Sequence, residues 1–316
     1  MTKRRLGPKN RPKGSAPPNP RPPIRTTHSL IATLGTVRDP QNSCVFFVTV
    51  PTEIRSIIFS LALYGYDDKS RPYPSNTYYA RPGYRFRRRI DTALLATCRR
   101  IYVETHDLPI SQNEHIFWCG SQWRCPTRTF RDQPAGYLRR LTEEQKAALA
   151  QVHFFTPLIW LDNVLPKVCK LPGMRPKHIQ ITFRHTDWQH WDENAPLVMT
   201  SNWGDSLKFL YGLRTLEVEL EALERDEAQV ENIAEGMLQW SFPIAESRIL
   251  TADGNPIVSE RYLGQSEFPS RMLGYSICYS TANNGWVDVR LTRKPPRPSK
   301  LTYVVITIRW TAKKLE

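Results

Sequence analysis

Val50-Pro51-Thr52-Glu53-Ile54-Arg55-Ser56-Ile57-Ile58-Phe59-Ser60-Leu61-Ala62-Leu63 lies near the start of the ordered part expected of this 316-residue chain. Its spacing is helical: Ile54, Ile57, Ile58 and Leu61 fall at i, i+3, i+4 and i+7 and form one apolar stripe. Pro51 sits in the first turn, where its missing N–H costs nothing. Glu53 suits the positive end of the helix dipole. Gly65, just past the last apolar position, can stop the helix. Apolar helix stripes are usually core, so these four side chains are expected to pack into the protein's own interior.

Outward from this helix, residues 66–90 read as an insertion rich in Tyr, Pro and Arg, with neither helical nor strand period. Asp91 can cap a second helix in which Leu94, Leu95, Cys98, Ile101, Tyr102 and Leu108 keep helical spacing. Two helices with one apolar face each must bury those faces against each other or against the next layer. The chain then alternates. His115–Cys119 reads as a strand, Thr142-Glu143-Glu144-Gln145 as a capping box starting a short helix, and Val152–Thr156 as a strand. His178–His185 has the period of two of a half-buried strand. A helix at Asp205–Tyr211 leads into the strand Leu213–Leu220, followed by a longer helix over about 224–240 and a β-branched strand at Thr302–Trp310. Gly254 in Ala252-Asp253-Gly254-Asn255 suggests a hairpin turn, and Lys294–Pro298 a loop.

The fold class read from this order is α+β: an N-terminal helical pair, then a mixed sheet with helices on one side. The alternation is irregular and loosely leucine-rich-repeat-like rather than a strict repeat. The expected division is a disordered basic, proline-rich tail over 1–43, a helical segment over 44–120 carrying the insertion 66–90, and an α/β recognition domain over 121–316 packed on it as one unit.

The net charge of +14 is unevenly placed. Residues 1–26 hold eight Lys and Arg and no acid, which leaves +6 for the rest of the chain. Seven prolines in that tail oppose both helix and strand. A second basic cluster, Arg85, Arg87, Arg88 and Arg89, lies in the insertion beside Tyr73, Tyr78, Tyr79, Tyr84 and Phe86. Tail and cluster together are the candidate nucleic-acid surface, since basic and aromatic residues neutralise and stack a strand. The six cysteines are dispersed and read as reduced thiols, with no pairing suited to zinc. No apolar run is long enough to span a bilayer, and no signal-peptide core is seen, so a cytoplasmic or nuclear location is expected.

The helix start, together with Leu94-Leu95-Ala96-Thr97-Cys98-Arg99-Arg100-Ile101-Tyr102-Val103-Glu104 and Asn113-Glu114-His115-Ile116-Phe117, resembles a large group of fungal F-box-like proteins. The usual opening of such a helix is Leu-Pro-x-Glu-(Ile/Leu), and here Val50 stands where Leu is commoner. Ile181-Thr182-Phe183-Arg184-His185-Thr186-Asp187-Trp188 through Glu193 is similar to a strand-plus-Asp-Trp segment of that group, and Leu213–Glu221 and Trp240–Pro243 follow in the same order. The resemblance covers about residues 44–250 and the last strand. It implies a protein-interaction module that acts as a substrate adaptor of a ubiquitin ligase. Pro51, Glu53, Ile54 and Ile58 would then be the residues facing the Skp1 adaptor.

No reaction is specified by any motif. Neither a Gly-x-Ser-x-Gly turn nor a phosphate-cradling glycine loop occurs, so the chain reads as non-enzymatic, without cofactor or small-molecule ligand. His185, Asp187, His190, Asp192 and Glu193 are metal-ligand types within nine residues, but Trp188 and Trp191 interrupt them. The expectation is that the indoles cover an edge of the core while the polar groups cap a turn, with no metal site.

Overall fold

A computed structural model of the chain describes residues 41–75, 77, 79–120, 126, 134–270, 275–292, 294, 297 and 299–314. The basic tail up to residue 40, and Tyr78 and Cys125, lie outside the described residues. The structure is mixed α+β, built on a large mixed sheet with several helices.

A short helix, Val45–Thr49, precedes the Thr52–Leu63 helix, which Pro51 caps and which ends two residues before Gly65. The insertion is not irregular. Strands β1 (Tyr66–Pro72) and β2 (Phe86–Arg89) pair antiparallel within it. Its charged residues hid the strand period because both strands are mostly exposed, so no buried face imposed an alternation. The second expected helix is broken into three pieces: a 3-10 turn at Ala93–Ala96, a helix at Arg99–Thr105 and another at Leu108–Ser111. Cys98 is extended and its sulfur accepts from the Ile101 N–H, so the chain restarts a helix there. Asp91 caps only the first piece, through the Ala93 N–H at 2.9 Å.

β3 (Glu114–Trp118), β4 (Gln151–Phe155), β5 (His178–Phe183) and β6 (Thr215–Leu223) lie side by side in chain order and run parallel. Parallel neighbours need crossover connections, and short helices supply most of them. The Glu143–Ala148 helix carries the expected capping box between Thr142 and Gln145. Between β5 and β6 the expected helix is instead a 3-10 helix, Asn202–Phe209. The Glu227–Met237 helix follows β6.

β7 (Ser241–Ile244), β8 (Arg248–Thr251) and β9 (Val258–Gln265) come next. β10 (Glu267–Ser270), β11 (Tyr275–Ser280) and β12 (Gly285–Asp288) form a separate antiparallel sheet that the sequence reading missed. The last strand, β13 (Lys300–Lys314), pairs with β6 along one edge and with β9 and then β8 along the other. Asp253-Gly254 does make a turn, with Gly254 at φ +78°. It does not join a hairpin: β8 and β9 lie end to end against β13 rather than against each other.

Alternation of side chains across the pleat gives the sheet two unlike faces. Val152, Phe154, Ile179, Ile181, Leu216, Val218, Leu220, Ile306 and Ile308 share the main core with Leu161, Leu165, Val168, Val230, Ala234 and Met237 from the helices. The other face presents Trp118, His153, Phe155, Thr182, Glu219 and Glu221, and the insertion covers part of it through Tyr79 and Arg81.

One buried amide ties the helical segment to this sheet. Asn113 Nδ2 donates to Leu63 O and Pro109 O, each at 3.0 Å, and its Oδ1 accepts from the Gly65 N–H at 2.6 Å. Replacing Asn113 by Leu would leave three backbone groups without that partner. We expect Asn113→Leu to lower unfolding stability by roughly 2–4 kcal/mol, measured by urea denaturation, because buried unpaired polar groups are costly.

Candidate functional site

The apolar stripe of the Thr52–Leu63 helix does not pack inward as expected. Ile54, Ile57, Ile58 and Leu61 are 47%, 56%, 41% and 74% exposed, and Val45 and Val48 of the preceding helix are exposed as well. The buried positions are Arg55, Phe59 and Leu63, which follow one another at i, i+4 and i+8. The inward face is thus led by an arginine, which is why its hydrophobic spacing was overlooked. Arg55 Nη1 donates to Val50 O at 2.8 Å, and its Nε and Nη2 donate to Glu104 at 3.3 and 3.4 Å. Arg100 also pairs with Glu104, and both guanidiniums lie against the Phe47 ring. These contacts join the Arg55 and Arg99-Arg100…Glu104 stretches and fix which side of the helix faces out. Pro51, Glu53, Ile54 and Ile58 all lie on the exposed side.

The basic cluster is divided by its surroundings. Arg88 pairs with Glu114 at 2.9 Å, Arg87 lies over the Tyr73 ring, and Arg85 and Arg89 are exposed. Asp67 and Asp68 stand opposite Arg88 and Arg87 in the hairpin register. Tyr79 is buried, and Tyr73 and Tyr84 pack with it against Trp118 and Phe155. Tyr79 is withdrawn into packing, while Tyr73 and Tyr84 are partly buried and keep an edge towards the groove beside β3.

Under the insertion lies a polar network that the sequence reading did not assemble. His153, fully buried, has Glu114 Oε1 at 2.9 Å and the Tyr84 hydroxyl at 2.8 Å from Nδ1. Its Nε2 is 2.8 Å from Thr182 Oγ1, whose hydroxyl donates to Glu219 at 2.7 Å. Arg81, buried, donates to Glu219 at 3.0 Å and lies 3.6 Å from Glu221. The parallel register carries this arrangement: His153 and Thr182 sit on adjacent strands, and Thr182 is paired with Glu219 on the next.

Burial depresses the Arg81 ionisation, but the facing Glu221 and Glu219 carboxylates outweigh it and hold the guanidinium above its ordinary value. Burial pushes the Tyr84 hydroxyl well up. For Glu219, burial raises the carboxyl, while Arg81, His153 and the Thr182 hydrogen bond hold it below its ordinary 4.5. Glu114 follows the same pattern, with His153 and Arg88 opposing burial. The network is closed from solvent at His153. It clamps the insertion to the sheet.

The histidine and acid cluster after β5 separates. His185 and Asp187 are buried, with Asp187 accepting from the Arg184 N–H at 3.1 Å, whereas His190, Asp192 and Glu193 are exposed. Trp188 donates to Glu221 O at 2.8 Å, and Trp191 packs on Trp286 and Phe268 of the small sheet. The indoles therefore seal a core edge and the turn is capped by Asp187. A crevice of about 820 Å³ opens beside them, where the carboxyl ends of β4 and β5 meet Pro157, Asp162 and Asp192. Among the described residues, no three His, Cys, Asp or Glu are grouped to hold a metal ion, and no helix is long and apolar enough to cross a membrane.

Neither protein-family models, curated proteins nor solved structures give a match to this chain.

The lowered Glu114 and Glu219 carboxyls set a sign for acid stability. Each group's contribution is fully present above the unfolded value of 4.5 and is lost as pH falls through the lower folded value. Glu219→Gln should therefore destabilise the protein most at pH 7, and its urea midpoint should approach that of the wild type as pH falls through the folded value below 4.5. A gap that is constant across this range would contradict the assignment.

Proposed function

We propose that this chain is a non-enzymatic, F-box-like interaction module that docks a Skp1-like adaptor through the outer face of the Thr52–Leu63 helix. The exposure of Ile54, Ile57, Ile58 and Leu61 carries this reading, since they form a continuous aliphatic row on a helix anchored from its other side. Burying such a row on a partner is favourable by about 1.5–3 kcal/mol for each side chain taken fully out of water. Pro51 and Glu53 border the row at the helix start and would set the approach of the partner. In an adaptor of this kind the remainder of the chain holds a substrate. The parallel β3–β6 ladder is the element we assign to that role.

The nucleic-acid alternative keeps Arg85, Arg87 and Arg89 as cations, while Arg88 is paired with Glu114 and Tyr79 is packed against Trp118.

Calorimetric titration of the purified chain with a Skp1 protein tests the reading. The wild type should bind, and the double variant Ile54→Asp, Ile58→Asp should lose at least about tenfold in affinity, equivalent to about 1.4 kcal/mol. Its thermal melt should stay close to that of the wild type, since both positions are exposed. A wild type that does not bind, or a folded variant that binds equally well, would reject the adaptor role.

A further inference from the structure

β3 is the outermost strand of the large sheet, so one of its edges is free of any other strand among the described residues. The Cys119 N–H donates to Phe155 O at 2.7 Å, and this fixes the alternation along the strand. Residues 115, 117 and 119 direct their backbone groups to β4, and Ile116 and Trp118 direct theirs outward. No hydrogen bond to the outward N–H and C=O groups of Ile116 and Trp118 occurs among the described residues.

Natural sheets usually blunt such an edge with proline, charge, a bulge or a covering segment. The opposite edge of this sheet, β7, carries Pro243. β3 has no proline and no irregularity in its register, and its outer edge opens into a groove of about 480 Å³. All five β3 residues line the groove, and Phe86, Arg87 and Arg88 of β2 form part of its opposite wall. Tyr73 and Tyr84 add aromatic surface.

We propose that this groove binds an extended, acidic peptide of a partner protein, which adds as a strand to the outer edge of β3. The outward backbone groups recur every second residue, about 6.6 Å apart, which matches the repeat of another strand rather than the shape of a small molecule. Alternate side chains of the incoming segment would meet Ile116 and the aromatic wall. The other side chains would pass β2, where Arg87 and Arg88 line the groove and Arg85 and Arg89 flank them in the chain. Among the described residues Arg88 pairs with Glu114, and Arg87 lies over the Tyr73 ring with no ion pair to the sheet. The wall therefore selects carboxylates over lysines. The site uses no residue of the Thr52–Leu63 helix face and does not depend on the adaptor reading.

A displayed library of random 12-residue peptides panned on the full chain tests this inference. The enriched peptides should combine aspartate or glutamate with alternating aliphatic or aromatic residues. Fluorescence anisotropy with those peptides should show binding weakened about tenfold or more by Ile116→Pro, which removes an outward donor, and likewise by Arg87→Glu. Proline at Ile116 spares the ladder to β4, since that N–H points away from it. Should the proline variant not fold, the same peptide with alternate backbone nitrogens methylated replaces it as the probe, with unchanged side chains. Equal binding of the methylated peptide, no enriched peptide, or enrichment of lysine-rich peptides would overturn the proposal. Ile54→Asp, Ile58→Asp should leave peptide binding unchanged, so failure here and failure of the adaptor reading are separately visible.

Discussion

Carboxylates on one face of the central sheet are the constraint around which the rest of the molecule is arranged. Glu114, Glu217, Glu219 and Glu221 project from β3 and β6 on the side away from the main core. Burying them without cations would be strongly unfavourable. Arg81 and Arg88 come from the insertion, Arg309 from β13 and His153 from β4 to meet them. The insertion is therefore part of the folded body, held by charge, and its aromatic residues fill the space that the ion pairs leave. Buried pairs of this kind specify an arrangement more clearly than they add net stability.

The same principle acts at the helical segment on a smaller scale. Arg55 spends its donors on Glu104 and on the Val50 carbonyl, and Asn113 satisfies the chain ends at Leu63 and Gly65. Polar side chains thus decide how the Thr52–Leu63 helix is rotated. With Arg55, Phe59 and Leu63 turned in, the aliphatic row is left outside. A helix face that looks like core in sequence stays at the surface because the opposite face is tethered by hydrogen bonds.

The two proposed surfaces are on different elements: a helix face made of aliphatic side chains and a sheet edge made of backbone groups. Association at the first would be driven by burial of apolar area and at the second by ladder hydrogen bonds with charge selection. No residue of the Thr52–Leu63 helix lines the groove, so substitutions on the helix face should leave the sheet edge intact.

Periodicity in the sequence by itself determined the Thr52–Leu63 helix, the Thr142 capping box, the strand β5, the buried alternation of β6 and the existence of β13. Each is set by local spacing or by side-chain-to-backbone bonds within a few residues. It also indicated that Trp188 and Trp191 would serve the core. Only the tertiary structure decided which face of the first helix is buried, because Arg55 needs Glu104 from 49 residues away. The β1–β2 hairpin and the small β10–β12 sheet were likewise invisible locally, as their strands are short and interrupted by charged or turn residues. The His153 network and the free edge of β3 follow from strand order, which brings together residues from separate segments and leaves one strand at the margin. Strand order is fixed by long-range pairing, and no local spacing in the chain encodes it.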